Sequence, residues 1–241
     1  MNTPPQPPAA SETPGWRERI AELARPAALP SPPPPWLMFE IVGILLVPLM
    51  IISFVAWDRD VTTWVRTLAA SQTAWAQFLS HAAHGKVLIP AMVILIALGL
   101  WRNWGRVWRW TAVWTLGYLA ESVLVNLLKV VCGRHRPNGL LEGHYGFDFF
   151  EIGYQVNSFP SGHSAAVGSL LGVALLLRPR LAPVWIIAAL AWGSARVFSH
   201  SHYISDVLAG LYVGTGCTFL VYTLARRKPW WNRQFAGGGG V

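Results

Sequence analysis

Cysteine and acidic residues are both scarce in this chain. Two cysteines among 241 residues cannot build a disulfide framework or a cysteine-rich zinc site. Eleven Asp and Glu stand against nineteen Lys and Arg, and charged residues make up only 12% of the chain, against roughly 25% in a soluble domain. That deficit excludes an ordinary soluble enzyme. The 53% of hydrophobic residues excludes a disordered chain, which needs low hydrophobicity. What is left is an all-α, polytopic membrane protein of one domain.

The formal charge of +8 is high enough to suggest a nucleic-acid binder. The basic residues, however, fall in short blocks between apolar runs, the pattern that orients membrane proteins. No nucleic-acid partner and no obligate protein partner are expected.

Residues 1–35 hold 11 of the 18 prolines and read as an extended cytoplasmic segment. Within it, Trp16–Ala24 could form a short amphipathic helix on the membrane face. No secretory leader is evident, and the run Gly237–Gly240 ends a basic, flexible tail over 226–241. Between these ends, residues 36–225 contain six apolar segments, read as six transmembrane helices: Trp36–Trp57, Phe78–Trp101, Trp110–Val131, Ser161–Leu177, Leu181–Phe198 and Ser205–Ala225. Thr62–Ala70 and Thr73–Ala83 read as short interfacial helices. With both termini inside, twelve Lys and Arg lie on the cytoplasmic side and seven on the other, so the positive-inside rule places the termini in the cytoplasm.

Polar residues then cluster where they are expensive. Lys129 ends the third segment and is followed by Arg134, Arg136 and Pro137. Pro160, Ser161, Gly162 and His163 open the fourth. Arg196, His202 and Asp206 bridge the fifth and sixth. The topology puts all of them at the outer membrane face. Lys129, Arg136 and Arg196 would repel one another without an anion between them, and arginine forks match phosphate oxygens. Ser161 and Gly162 sit at a helix start, where free N–H groups and the helix dipole favour phosphate. His202 and Asp206 are four residues apart, so the carboxylate can hold one ring nitrogen and free the other to attack. His163 could protonate a leaving oxygen. Such a set performs phosphoryl transfer without a metal or cofactor.

These residues resemble the type 2 phosphatidic acid phosphatase superfamily. Its three motifs are Lys-x6-Arg-Pro, Pro-Ser-Gly-His and Ser-Arg-x5-His-x3-Asp. They are matched in order by Lys129 to Pro137, Pro160 to His163, and Ala195 to Asp206, with Ala195 where the family commonly has serine. The resemblance implies that His202 forms a phosphohistidine, that Asp206 orients it and that His163 is the general acid. Lys129, Arg136, Ser161, Gly162 and Arg196 would bind the phosphate, with Arg134 a secondary contact to phosphate or head group. It further implies an integral protein of the bacterial inner membrane with a periplasmic site. The substrate would be a lipid phosphate or diphosphate, with undecaprenyl diphosphate first and phosphatidylglycerol phosphate, phosphatidic acid or lipid A 1-phosphate as alternatives.

Taken singly, each motif has an ordinary structural explanation: snorkelling cations at a helix end, a helix-capping turn, and an i,i+4 pair. Their joint order on one face is what points to chemistry. A non-catalytic anionic-lipid binder or translocator would need no nucleophile and acid, and a vanadate haloperoxidase would not need the apolar spans. A zinc site from His200, His202 and Asp206 would be opposed by the nearby cations. Glu121, eight residues before Lys129, should not face lipid; a structural hydrogen bond is expected for it, with a head-group contact as the lesser reading. The loop 138–159, rich in aromatics, reads as an interfacial flap over the head group.

Overall fold

The computed structural model describes residues 34–228 and Trp231. The proposed helix Trp16–Ala24 and the glycine tail lie outside the described residues. Helix α1 (Pro35–Ile52) runs through a π-helical turn at Ser53–Trp57 into α2 (Asp58–Arg66). Then follow α3 (Ala70–Ala82), α4 (Gly85–Trp101), α5 (Gly105–Cys132), α6 (Gly162–Leu177), α7 (Ala182–Phe198) and α8 (Ile204–Ala225). Among the described residues the one strand-like feature is an isolated antiparallel bridge between Arg134 and Phe147.

Four stretches are long and apolar enough to cross a bilayer: Trp36–Arg66, Gly105–Cys132, Pro179–Phe198 and Ile204–Ala225. Thr73–Ala82 and Gly85–Trp101 form a further path bent by 43°, and Gly162–Leu177 is apolar but shorter. The six expected segments therefore resolve into four long helices, one bent pair and one short helix. The residues after Trp57 differ from expectation: α2 continues the first span instead of standing apart, because the π turn carries the helix on without a break. Helix α3 packs against α7, where the Trp192 indole donates to the Leu79 carbonyl at 2.8 Å.

Helix α6 is the most enclosed element, flanked by α5, α7 and above all α8. An apolar helix surrounded by protein is a core helix, which accounts for its modest length. Lipid-like surroundings supply little hydrophobic drive between helices, so close association needs small residues and hydrogen bonds. The α6–α8 seam has both. A Cβ added at Gly210 would lie 3.0 Å from the Ala165 nitrogen, and one at Gly214 only 2.7 Å from the Ser169 nitrogen. The Thr215 and Thr218 hydroxyls donate to the carbonyls of Gly168 and Ser169 at 3.1 and 3.0 Å. Outward-facing Ile44, Leu127, Ile187 and Leu220 are exposed, as lipid-facing side chains are.

Gly214→Val should force α6 and α8 apart and destabilise the protein by about 1–3 kcal/mol or more, the usual cost of overpacking. Thermal unfolding in detergent reads this directly; a melting curve unchanged from that of the wild type would contradict the seam.

Candidate active site

The end of α5, the start of α6, the end of α7 and the start of α8 meet at one end of the bundle, tied by backbone hydrogen bonds. The Ser161 N–H donates to the Asp206 carbonyl at 3.0 Å, the His202 N–H to the Arg196 carbonyl at 3.1 Å, and the Ser158 N–H to the Arg134 carbonyl at 2.9 Å. Arg136 donates through Nη1 to the Ser201 carbonyl at 3.3 Å. The close α6–α8 seam makes the first contact possible, and with it the second and third motifs become one surface. His200 turns the chain between α7 and α8 with a left-handed backbone, φ 55°.

His202 is buried, and its Nδ1 lies 2.8 Å from the Ser158 carbonyl oxygen. A carbonyl can only accept, so Nδ1 carries the proton and Nε2 keeps its lone pair. The direct hydrogen bond expected from Asp206 is not formed: Oδ2 of Asp206 stands 3.6 Å from Nδ1. That carboxylate oxygen instead accepts from the Ser158 hydroxyl at 2.6 Å and the Tyr203 N–H at 2.9 Å. Asp206 thus holds the segment that holds the imidazole. Burial, reinforced by Arg196 and Arg136 against the pull of Asp206, pushes the His202 pKa down to about 4. The ring is neutral at pH 7, as a nitrogen nucleophile must be. The unfolded chain takes up this proton near 6.5, so folding weakens as pH falls from about 6.5 towards 4.

Lys129, Arg136 and Arg196 lie near one another, with different supports. Lys129 interacts electrostatically with Arg136, Arg196, Asp206 and Glu121. Arg136 is braced by Asn157 Oδ1 at 2.7 Å and the Tyr154 carbonyl at 2.9 Å, and its guanidinium lies 4.1 Å from the Tyr154 ring centre. Arg196 donates to the Ser80 hydroxyl of α3, and its buried Nε has no partner. His163 interacts with Arg196, His202, His84 and Lys129, and its ring meets that of His84 edge-on at 5.4 Å. Ser161 is fully buried and caps α6, its hydroxyl accepting from the Ser164 hydroxyl at 2.9 Å and facing the Ser164 N–H at 3.4 Å. With its own N–H given to Asp206, Ser161 shapes the helix start. The N–H groups of Gly162 and His163, first in α6, have no partner within the helix and are the ones placed to face an anion.

Arg134 departs most from the sequence reading. It is fully buried, behind Asp206. Nη1 donates to Asp206 and, at 2.6 Å, to the Ser205 hydroxyl; Nη2 donates to Asp58 at 2.7 Å. The rings of Tyr203, Phe54, Phe147 and Tyr145 surround it at 4.5–5.8 Å. Burial alone would lower its pKa, but Asp206 and Asp58 raise it above the ordinary arginine value. Asp58 also accepts from the Ser53 hydroxyl at 2.7 Å and the Ser205 N–H at 3.1 Å. Asp58, Ser80, Asn157 and Ser158 were missed in the sequence. Asp58 alone left a signal, an acid closing an apolar run; the Ser158 carbonyl is invisible in any side-chain pattern.

The loop 138–159 is woven into the site. Tyr145 stacks on Phe54 and donates to its carbonyl at 2.8 Å, while Phe149, Phe150, Ile152 and Tyr154 form an exposed crest.

An all-helical bundle presenting a buried imidazole among unpaired cations is the class of membrane phosphoryl-transfer site. A family model described as the PAP2 superfamily matches residues 110–230, and the chain belongs to that superfamily. It is 40% identical over 107 residues to a lipid A 1-phosphatase of Rhizobium etli, covering 42% of this chain and 46% of that one. It is 40% identical over 101 residues to a lipid A 1-phosphatase of Rhizobium johnstonii, covering 42% and 41%. The match thus spans less than half the length of either relative. Among solved structures, the fold is shared with the transmembrane PAP2-type phosphatidylglycerolphosphate phosphatase of Bacillus subtilis, with TM-score 0.57, 22% identity, and 80% of this chain and 96% of that one covered. It is shared too with LpxE of Aquifex aeolicus, with TM-score 0.53, 21% identity, and 70% and 96% covered.

Two outcomes follow from this geometry. In nitrogen-15 histidine NMR of the detergent-solubilised protein, His202 should be the Nδ1–H tautomer at pH 6 and titrate near 4; an imidazolium at pH 6 would refute the assignment. Arg134→Met strands two buried carboxylates and should cost about 3–5 kcal/mol of stability. A full-strength fold with only a raised KM would make Arg134 a substrate ligand instead.

Proposed function

We propose that this membrane protein is a lipid phosphatase that hydrolyses a phosphate ester through a phosphohistidine. The observation that carries the reading is the buried, neutral His202, with its free Nε2 beside Arg136, Arg196 and the start of α6. Nε2 attacks phosphorus as the bond to the leaving oxygen breaks, and His163, charged by a proton that the phosphate monoanion brings in, gives it to that oxygen. Water then attacks the phosphohistidine, its proton passing to His163, and phosphate leaves with Nε2 restored. Lys129, Arg136, Arg196 and the N–H groups of Gly162 and His163 hold the phosphoryl oxygens while charge redistributes, where most of the acceleration arises.

The substrate proposed first is lipid A 1-phosphate, which the likeness to two lipid A 1-phosphatases supports. Phosphatidylglycerol phosphate, phosphatidic acid and undecaprenyl diphosphate stand as alternatives. The aromatic crest of the loop 138–159 suits entry from the membrane interface. The Lys and Arg distribution supports a site on the periplasmic face of the inner membrane. Purified protein should release phosphate from lipid A 1-phosphate in the presence of EDTA, and His202→Ala should reduce the rate at least about 10³-fold without loss of folding. Near-normal turnover by that variant would overturn the nucleophile, and loss of wild-type activity in EDTA would overturn the metal-free mechanism.

A further inference from the structure

A pocket of about 150 Å³ adjoins the site, sharing Lys129, Gly162 and His163 with it and extending to His84 and Glu121. That is room for a fragment of a few heavy atoms beside the site. Tyr118, Glu121, Ser122, Asn126 and Lys129 line it from α5 at helical spacing, with Val125 among them. Glu121 lies about 12 Å along the helix from Lys129.

Glu121 is the feature that the phosphoryl-transfer chemistry leaves unused. It is 2% exposed. Oε1 faces only the Ser122 hydroxyl, at a long 3.4 Å, and Oε2 has no hydrogen-bond partner. The structural hydrogen bond expected for it is thus barely made. A buried polar atom without a partner costs free energy, so its retention beside a pocket points to a ligand. The opposite wall supplies a donor: His84 Nδ1 accepts from the Lys86 N–H at 3.1 Å, leaving Nε2–H as the donor of the neutral ring. A hydroxyl, which both gives and accepts, matches that pair.

We propose that this pocket is a subsite for the leaving alcohol, and that Glu121 selects lipid phosphates whose alcohol carries a hydrogen-bond donor within a few atoms of the ester. The inference rests on the phosphatase reading above. In-line displacement puts the leaving oxygen opposite His202. His163 must touch that oxygen, so the rest of the alcohol starts beside His163, a residue that also lines the pocket. A sugar or glycerol head group satisfies Glu121; a polyprenyl chain leaves it unpaired. Sites built around a hydroxyl reject analogues that lack it strongly.

The test compares phosphate release by the purified full chain from phosphatidylglycerol phosphate and from its analogue lacking the free hydroxyl of the terminal glycerol. The wild type should prefer the hydroxylated lipid by roughly tenfold or more in kcat/KM. Glu121→Leu should erase most of that preference, and Glu121→Gln, which keeps an acceptor, should retain it. Equal wild-type rates on the matched pair would overturn the subsite even if Glu121→Leu failed to fold, and so would equal losses on every substrate in a folded variant. Phosphate release by the wild type from no lipid phosphate at all would instead sink the phosphatase reading, and the subsite with it.

Discussion

One guanidinium, sealed from water, ties the first helix of the bundle to the last. Arg134 bonds Asp58, which opens α2 within the first span, and Asp206 in the first turn of α8. A buried pair of this kind adds little net stability over an apolar filling, yet losing one partner is severe. Its effect here is geometric. Asp206 cannot move without releasing Arg134, and Ser158, held by Asp206 through its hydroxyl, presents the carbonyl that fixes the His202 tautomer. The His202 imidazole is therefore set by a chain of polar contacts that begins at Asp58.

The cations fall into two groups with opposite electrostatics. Arg134 is paired with two carboxylates through its Nη atoms and walled by aromatics, so it is buried away from any ligand, with its Nε unpartnered. Lys129, Arg136 and Arg196 crowd together with no carboxylate in direct ion-pair contact, and the supports of Arg136 and Arg196 are neutral oxygens from Ser80, Asn157, Tyr154 and Ser201. Neutral acceptors orient a guanidinium without cancelling its charge. That leaves an attraction for an incoming anion which a carboxylate in the same place would abolish.

Much of this was legible in the sequence, and the limits are physical. The three motifs name the residues that converge, because cations, histidines and a carboxylate at membrane depth have few alternative uses. Helix positions follow from apolar runs, although the α1–α2 join, a π-helical continuation, carries no compositional mark. Arg134 could not be separated from Arg136 by type or spacing, since only burial distinguishes a structural arginine from a binding one. Ser161 caps α6 and gives its N–H to α8, a contact set by tertiary packing that no motif displays.

The brevity of α6 has a consequence for how the lipid is handled. Its 16 residues rise about 24 Å, short of the roughly 30 Å hydrocarbon core. Arg178 and Arg180 are exposed at its far end, as cations that reach for the aqueous boundary are. A helix anchored there brings Gly162 and His163 several ångströms short of the opposite boundary. A head group can sink to that depth while its acyl chains stay solvated by their neighbours, so turnover avoids the roughly 0.8 kcal/mol per methylene that lifting a lipid out of its leaflet would demand.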